Sequence, residues 1–176
     1  MKRRGFTIVE LVITITIMGI LLALAVVNLN GTQLNARDAE RKADVESIAL
    51  NLESYYKNVN PEVFKSGGTY PGTAYINAAS IKEFLPDLDM KNVYAPGQPE
   101  GGSISFIPAT NAIETTNGVL PQPSVANDMY VYQALTKDGI LCEDPMVTST
   151  GDCRRFNIYY VKESDNTVQK ITSKRQ

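Results

Sequence analysis

Twenty-two residues from Phe6 to Val27 carry a single charge between them, and that charge is a carboxylate, Glu10. As a helix rising about 1.5 Å per residue, such a stretch is long enough to cross the hydrocarbon core of a membrane. From Leu11 onward it is apolar except for Thr14, Thr16 and Gly19. Lys2, Arg3 and Arg4 stand directly before it. Basic residues on that side keep the N-terminus cytoplasmic and send the body of the chain outward.

Glu10 separates three readings of this segment. As a secretory signal, with "ALA" at 23–25 as the cleavage site, the apolar run is over-long and its start is spoiled by the acid. As a plain membrane anchor, the acid is a liability of a few kcal/mol unless it reaches the interface. If the chain is cut between Gly5 and Phe6, the new amine of Phe6 is positive and Glu10 lies one helical turn away. A carboxylate in that turn also suits the positive end of the helix dipole. Only the third reading gives Glu10 a partner.

"RRGFTIVELVITITIMGILLALA" resembles the class III signal of type IV pilins and pseudopilins: a basic leader, a glycine, F-T-x-x-E and about twenty apolar residues. The resemblance implies that a prepilin peptidase cuts after Gly5 and that the amine of Phe6 is methylated. It also implies that Glu10 neutralises the N-terminus of a neighbouring subunit as helices pack into a filament. Many pilins carry proline where this chain has Val27. Here Asn28, Asn30 and Gly31 weaken the helix without forbidding it.

Beyond Gly31, Val45, Ile48, Leu52, Tyr55 and Val59 recur at steps of three and four, predicting an amphipathic helix with those residues on its buried face. Arg37, Asp38, Glu40, Arg41, Lys42, Asp44 and Glu46 fill the remainder, with Asp38–Lys42 and Glu53–Lys57 spaced for i,i+4 pairing. Pro61 and "SGG" at 66–68 end it. Together with the apolar half this predicts a nearly continuous helix of about 53 residues, ~80 Å long. A filament core with heads outside needs that shape; a solitary globular domain does not.

The rest predicts an α+β head with a small antiparallel sheet packed on that helix. Its parts are a leader (1–5), an apolar helix (6–30), an amphipathic helix (31–60), a connecting region (61–102) and a sheet region (103–176). In the connecting region "SIKEFLP" predicts a short helix, capped by Ser80 and Glu83 and stopped by Pro86, and "YAPGQPEGG" predicts loop. "SISFIPA" (103–109), "MYVYQAL" (129–135), "RFNIYYV" (155–161) and "TVQKIT" (167–172) predict strands. "ESDN" at 163–166 joins the last two as an antiparallel pair. Tyr130, Tyr132, Tyr159 and Tyr160 alternate faces, so core and cross-strand packing accounts for most of them.

The chain has 176 residues, a net charge of −2 and no histidine, which removes the commonest general base and metal ligand. Without the leader the balance is 14 basic against 19 acidic residues. That does not argue for nucleic acid as the main partner. No P-loop, nucleophile elbow or zincin motif occurs. The expectation is a chain with no catalytic site and no cofactor. Asp87 and Asp89, or Asp165 and Asn166, offer too few ligands for calcium and read better as turn residues. Arg154, Arg155 and the tail "KITSKRQ" are basic, and pili of this family take part in DNA uptake, but such a tail more often solvates an end. Cys142 and Cys153 cannot complete a zinc site or a C-x-x-C motif. Outside the cytoplasm a disulfide across an exposed loop is the natural reading, contributing about 2–3 kcal/mol. In well-known Gram-negative pilins the second cysteine of such a loop lies near the C-terminus, whereas 23 residues follow Cys153, so receptor binding does not transfer.

The resemblance implies a single-pass precursor that passes from the membrane to an extracellular filament at the cell surface. Its partners would be other copies, minor pilins, the prepilin peptidase and the assembly machinery, and its uses adhesion, twitching motility or DNA uptake. A pseudopilin of a type II secretion or competence system shares the same signal. The mature length and the disulfide-capable loop lean toward a surface pilin. The reading from another class is a single-pass anchored binding protein.

Overall fold

The computed structural model describes residues 5–58, 68–112, 121–144 and 152–175, with the side chains of 27–30 and 57–58 left aside. One helix, α1 (Ile8–Asn58, 51 residues), runs through both segments that the sequence divides, including positions 27–31. At 1.5 Å per residue it is about 77 Å long. Val45, Ile48 and Leu52 are fully buried and Tyr55 packs beside them, as their spacing predicts. Val59 and Pro61 lie outside the described residues.

Four strands form one sheet in the order β1 (Phe106–Pro108), β2 (Tyr130–Leu135), β3 (Arg155–Val161) and β4 (Val168–Thr172). β2–β3 and β3–β4 are antiparallel, but β1 runs parallel to β2, so the sheet is mixed rather than antiparallel. Two parallel strands cannot be joined by a tight hairpin, and Ala109 and Val125, near the two ends of the connection, lie on the back of the sheet. β1 is also three residues long, not the seven of "SISFIPA": Ser105 still accepts from the Tyr130 N–H, but its own N–H turns to the Val93 carbonyl and its hydroxyl accepts from the Ala95 N–H.

The sheet is buried on both faces. Tyr130, Tyr132, Ala134, Phe156, Ile158 and Tyr160 face α1. On the reverse, Val131, Tyr159 and Val161 pack with Ala109 and Val125. There Gln133 donates to the Asn111 carbonyl at 2.9 Å and accepts from Asn157 at 2.9 Å, which satisfies a fully buried amide.

The connecting region is part of the core. Tyr70, Ile76, Ile81, Leu85, Leu88 and Val93 are all buried. The short helix is α2 (Ala78–Phe84), and its cap is Asn77, whose side chain accepts from the Ser80 N–H; Ser80 and Glu83 are not a capping box. Asn is at least as good a cap as Ser and stands one turn earlier.

Cys142 and Cys153 are bonded, with Cα atoms 5.5 Å apart. Both are fully buried, so the bond does not merely clip an exposed loop. The Tyr70 N–H donates to the Cys153 carbonyl at 2.8 Å and the Thr73 N–H to the Cys142 carbonyl at 3.0 Å. The disulfide thus anchors the segment 69–74 against the strand ends. Replacing both cysteines by alanine is expected to cost about 2–3 kcal/mol in chemical denaturation. Hydrogen exchange at Tyr70 and Thr73 should rise ahead of global unfolding; unchanged exchange there would refute the anchoring.

Candidate functional site

The apolar half of α1 finds no partner within the described chain. Every side chain from Phe6 to Val26 is exposed, on all faces of the helix. It is the one described helix long and apolar enough to cross a membrane, with nothing in its most apolar window buried. Its polar side chains are quieted locally. The Thr14 hydroxyl donates to the Leu11 carbonyl at 2.8 Å, and that of Thr16 to Ile13 and Val12 at 2.8 and 3.1 Å. Hydroxyls satisfied by their own helix can sit in lipid or against other helices.

Gly5 and Phe6 lie ahead of the helix, exposed and non-helical, so the peptide between them is open to a protease. A Cβ on Gly5 would meet nothing within 4 Å, and its φ is outside the left-handed region. The chain's own fold therefore does not require glycine there. Lys2, Arg3 and Arg4 lie outside the described residues.

Thr7 caps the helix. Its hydroxyl oxygen accepts from the Glu10 N–H at 3.3 Å, and the hydroxyl donates to Glu10 Oε2 at 3.4 Å. This pairs the cap with the side chain three residues on, a relative of the capping box. The signal was legible as "TIVE", Thr and Glu three apart before an apolar run. The cap leaves Glu10 exposed in the first turn.

At the other end of α1 the charged residues do more than the sequence implies. Arg41 is 1% exposed. Its guanidinium bonds Asp38 Oδ1 at 3.0 Å, Glu163 Oε1, and the Asn127 carbonyl at 3.1 Å. Asp38 also accepts the Glu163 and Ser164 N–H groups at 2.7 and 3.1 Å. It pairs with Arg41 and the β3–β4 turn rather than with Lys42, whose partner is Glu46 at 3.8 Å. Glu53 accepts from the Tyr70 hydroxyl and the Lys174 N–H; the side chain of Lys57 lies outside the described residues. Asp38, Arg41 and Asp44 are buried because they extend the Val45–Ile48–Leu52 stripe at the same helical spacing.

Burial works against the Asp38 charge, yet the bonds from Ser164, Glu163 and Arg41 together hold its carboxyl below the ordinary 3.8. Asp44 is the opposite case. Burial pushes it up to about 6 although Tyr130 donates to it, and nearby Glu40 adds to the rise.

The remaining candidates are structural or peripheral. Asp89 caps a short 3-10 turn at 90–93. Asp165 accepts from the Thr167 N–H and hydroxyl. Arg154 is held by Asp152 at 2.6 Å and by the Gly68 carbonyl at 2.8 Å. Among the described residues no group of three acidic, cysteine or histidine side chains could hold a metal.

Residues 1–26 match the family described as the prokaryotic N-terminal methylation motif. Over 112 residues the chain is 28% identical to the type II secretion system core protein G of Pectobacterium carotovorum subsp. carotovorum, covering 55% of this chain and 70% of that protein. The arrangement of long N-terminal helix and small sheet is pilin-like. No solved structure matches it at a significant level. The motif's match ends where the apolar stretch ends, so it covers the basic residues, the glycine, the capped turn and the apolar half of α1, while the similarity to core protein G reaches into the head.

Two predictions follow from this geometry. Thr7→Ala should weaken the first turn by about 0.5–2 kcal/mol, read as faster amide exchange at Glu10 and Leu11 in micelles. Asp44 binds its proton more tightly folded than unfolded, so its protonation favours the fold fully below about pH 4, and that stabilisation fades as pH rises through about 6. Asp44→Asn should flatten the pH dependence of stability between pH 4 and 7; a slope unaltered by the substitution would contradict the assignment.

Proposed function

We propose that this chain is the polymerising subunit of a type IV pilus, cut between Gly5 and Phe6, methylated at Phe6 and assembled through α1 with Glu10 paired to the Phe6 amine of another copy. The observation that carries the reading is the uncovered apolar half of α1, exposed all round on a chain whose head is otherwise closed on both faces of its sheet. Lipid covers such a helix in the precursor. Outside the membrane only other apolar helices can, at about 25 cal/mol for each Å² kept from water. Packing supplies attraction but tolerates sliding along the axis. An acid left unpaired in that core costs several kcal/mol, so the Glu10–amine pair selects one stagger.

A second reading, a pseudopilin of a type II secretion system, is favoured by the similarity to core protein G. Intact mass of material sheared from cells separates the two. A chain starting at Phe6, heavier by one methyl group and abundant in the sheared fraction, supports a surface pilus. The same mass confined to the envelope supports a pseudopilus. Full-length chain with Met1 retained, and no filaments, overturns both in favour of an anchored binding protein.

Glu10→Val is expected to leave the processed chain in the membrane and abolish filaments, seen by shearing and electron microscopy; normal filaments would refute the pairing. Gly5→Leu should leave the leader attached, with no change of mass from the precursor.

A further inference from the structure

Outside the N-terminal half of α1, the described residues leave two large apolar side chains exposed, Leu50 at 59% and Ile140 at 58%. Leu50 forms the lip of a groove of about 300 Å³ between α1 and β4, floored by Ala49, Phe156 and Ile171. β4 is an edge strand, so one wall of the groove carries main-chain groups not engaged by another strand. Exposed Glu46 stands on the helix wall and exposed Lys174 just past the end of β4; Glu53 also lines the groove, but it is buried and accepts from the Tyr70 hydroxyl and the Lys174 N–H. Glu46 has Lys42 at 3.8 Å, an exposed pair that binds it weakly.

Ile140 sits on a turn that is rigid by construction. The Thr136 N–H donates to the Ile140 carbonyl at 2.9 Å, the Ile140 N–H to the Thr136 hydroxyl at 3.2 Å, and Gly139 takes a φ of +79° that suits glycine alone. Exposed Lys137 and Asp138 precede it. A single exposed apolar residue needs no explanation. A fixed apolar knob with a charge of each sign beside it, on a chain whose apolar groove also has a charge of each sign on its walls, is a complementary pair.

We propose that the Ile140 turn of one copy docks into the α1–β4 groove beside Leu50 of the next, with Lys137 facing Glu46 and Asp138 facing Lys174. Ile140 does not line the groove of its own chain. The contact is therefore made between copies, and in a helical polymer each copy offers its knob to one neighbour and its groove to the next, so that the contact propagates instead of closing. The proposal rests on the reading that copies of this chain polymerise, and adds a head-to-head contact to the packing of their helices.

The test places the photo-crosslinker benzoylphenylalanine at position 140 of the full chain in cells. Irradiation is expected to give a ladder of dimers and longer species. The crosslinked partner peptides should be tryptic fragments 43–57 or 171–174. Leu50→Asp, at an exposed site that leaves folding and processing unchanged, should reduce the ladder at least tenfold. Glu46→Lys should weaken it, and adding Lys137→Glu should restore it. Assembled filaments whose label stays monomeric, or maps to another segment or another protein, overturn the docking while leaving the polymerisation reading intact. A wild-type chain that is neither processed nor assembled overturns that reading and the docking with it.

Discussion

One uninterrupted helix has to satisfy two surroundings, and the rest of the molecule is arranged around that demand. A 51-residue helix cannot be covered by a head of this size along its whole length. The head packs on the outer part alone, beginning at Asp38, and the inner part is left bare. The backbone of the bare part is self-satisfied, which is what an apolar surrounding requires. Its two inner threonines return their hydroxyls to carbonyls three and four residues back. No proline interrupts the chain between Phe6 and Asn58, so nothing forces a break where the composition changes. Weak helix formers at Asn28, Asn30 and Gly31 lower the local stability without supplying a competing structure.

Where the bare helix meets the head, apolar burial gives way to charge. The stripe Val45, Ile48, Leu52 continues toward the membrane as Arg41 and Asp38, and neither is solvated. Replacing a leucine stripe by an ion network saves nothing on burial alone, since desolvation offsets much of the attraction. What it adds is direction. Arg41 spends its guanidinium on Asp38, Glu163 and the Asn127 carbonyl, and Asp38 takes two backbone N–H groups from the β3–β4 turn. Four of these bonds cross from the helix to the head and fix its rotation about the helix axis, where a greasy contact would allow slippage. In a polymer built through α1, that rotation decides which head surfaces meet.

Periodicity made the long helix and three of the four strands legible, because a buried stripe at 3.6 residues or an alternation of two leaves its mark in composition. β3 was recoverable to the residue, since Phe156, Ile158 and Tyr160 alternate with buried partners on its other face. The parallel β1 was not, because strand direction leaves no mark in the alternation of a strand's own residues. Nor was the core role of 69–95. Tyr70, Ile76, Ile81 and Leu85 are spaced irregularly because they fall on turns and on one short helix, and only tertiary packing brings them together. Asp38 and Arg41 misled for a related reason: a charge on a helix reads as solvated unless its distant partner, here Glu163, is known. Gly5, Phe6 and Glu10 were singled out through motif and chemistry, and the structure places the Thr7 cap beside them.

Thr7 sharpens the question of what Glu10 needs. The hydroxyl at 3.4 Å gives the carboxylate a neutral partner within its own chain, and the Glu10 N–H is occupied by the same side chain. A long, neutral hydrogen bond orients the acid but does not neutralise it. Compared with a charge-assisted bond it is about half as strong, and in an apolar bundle most of the cost of the charge would remain. The capped turn is thus a holding arrangement: adequate for a chain whose N-terminus sits at the membrane surface within reach of water, and inadequate once neighbouring helices exclude that water. On the proposed reading, an amine created at Phe6 would supply the missing positive charge at the start of the helix. A second copy would present that amine to Glu10 with the Thr7 cap in place, whereas bending a chain's own Phe6 back onto its first turn would give up the cap.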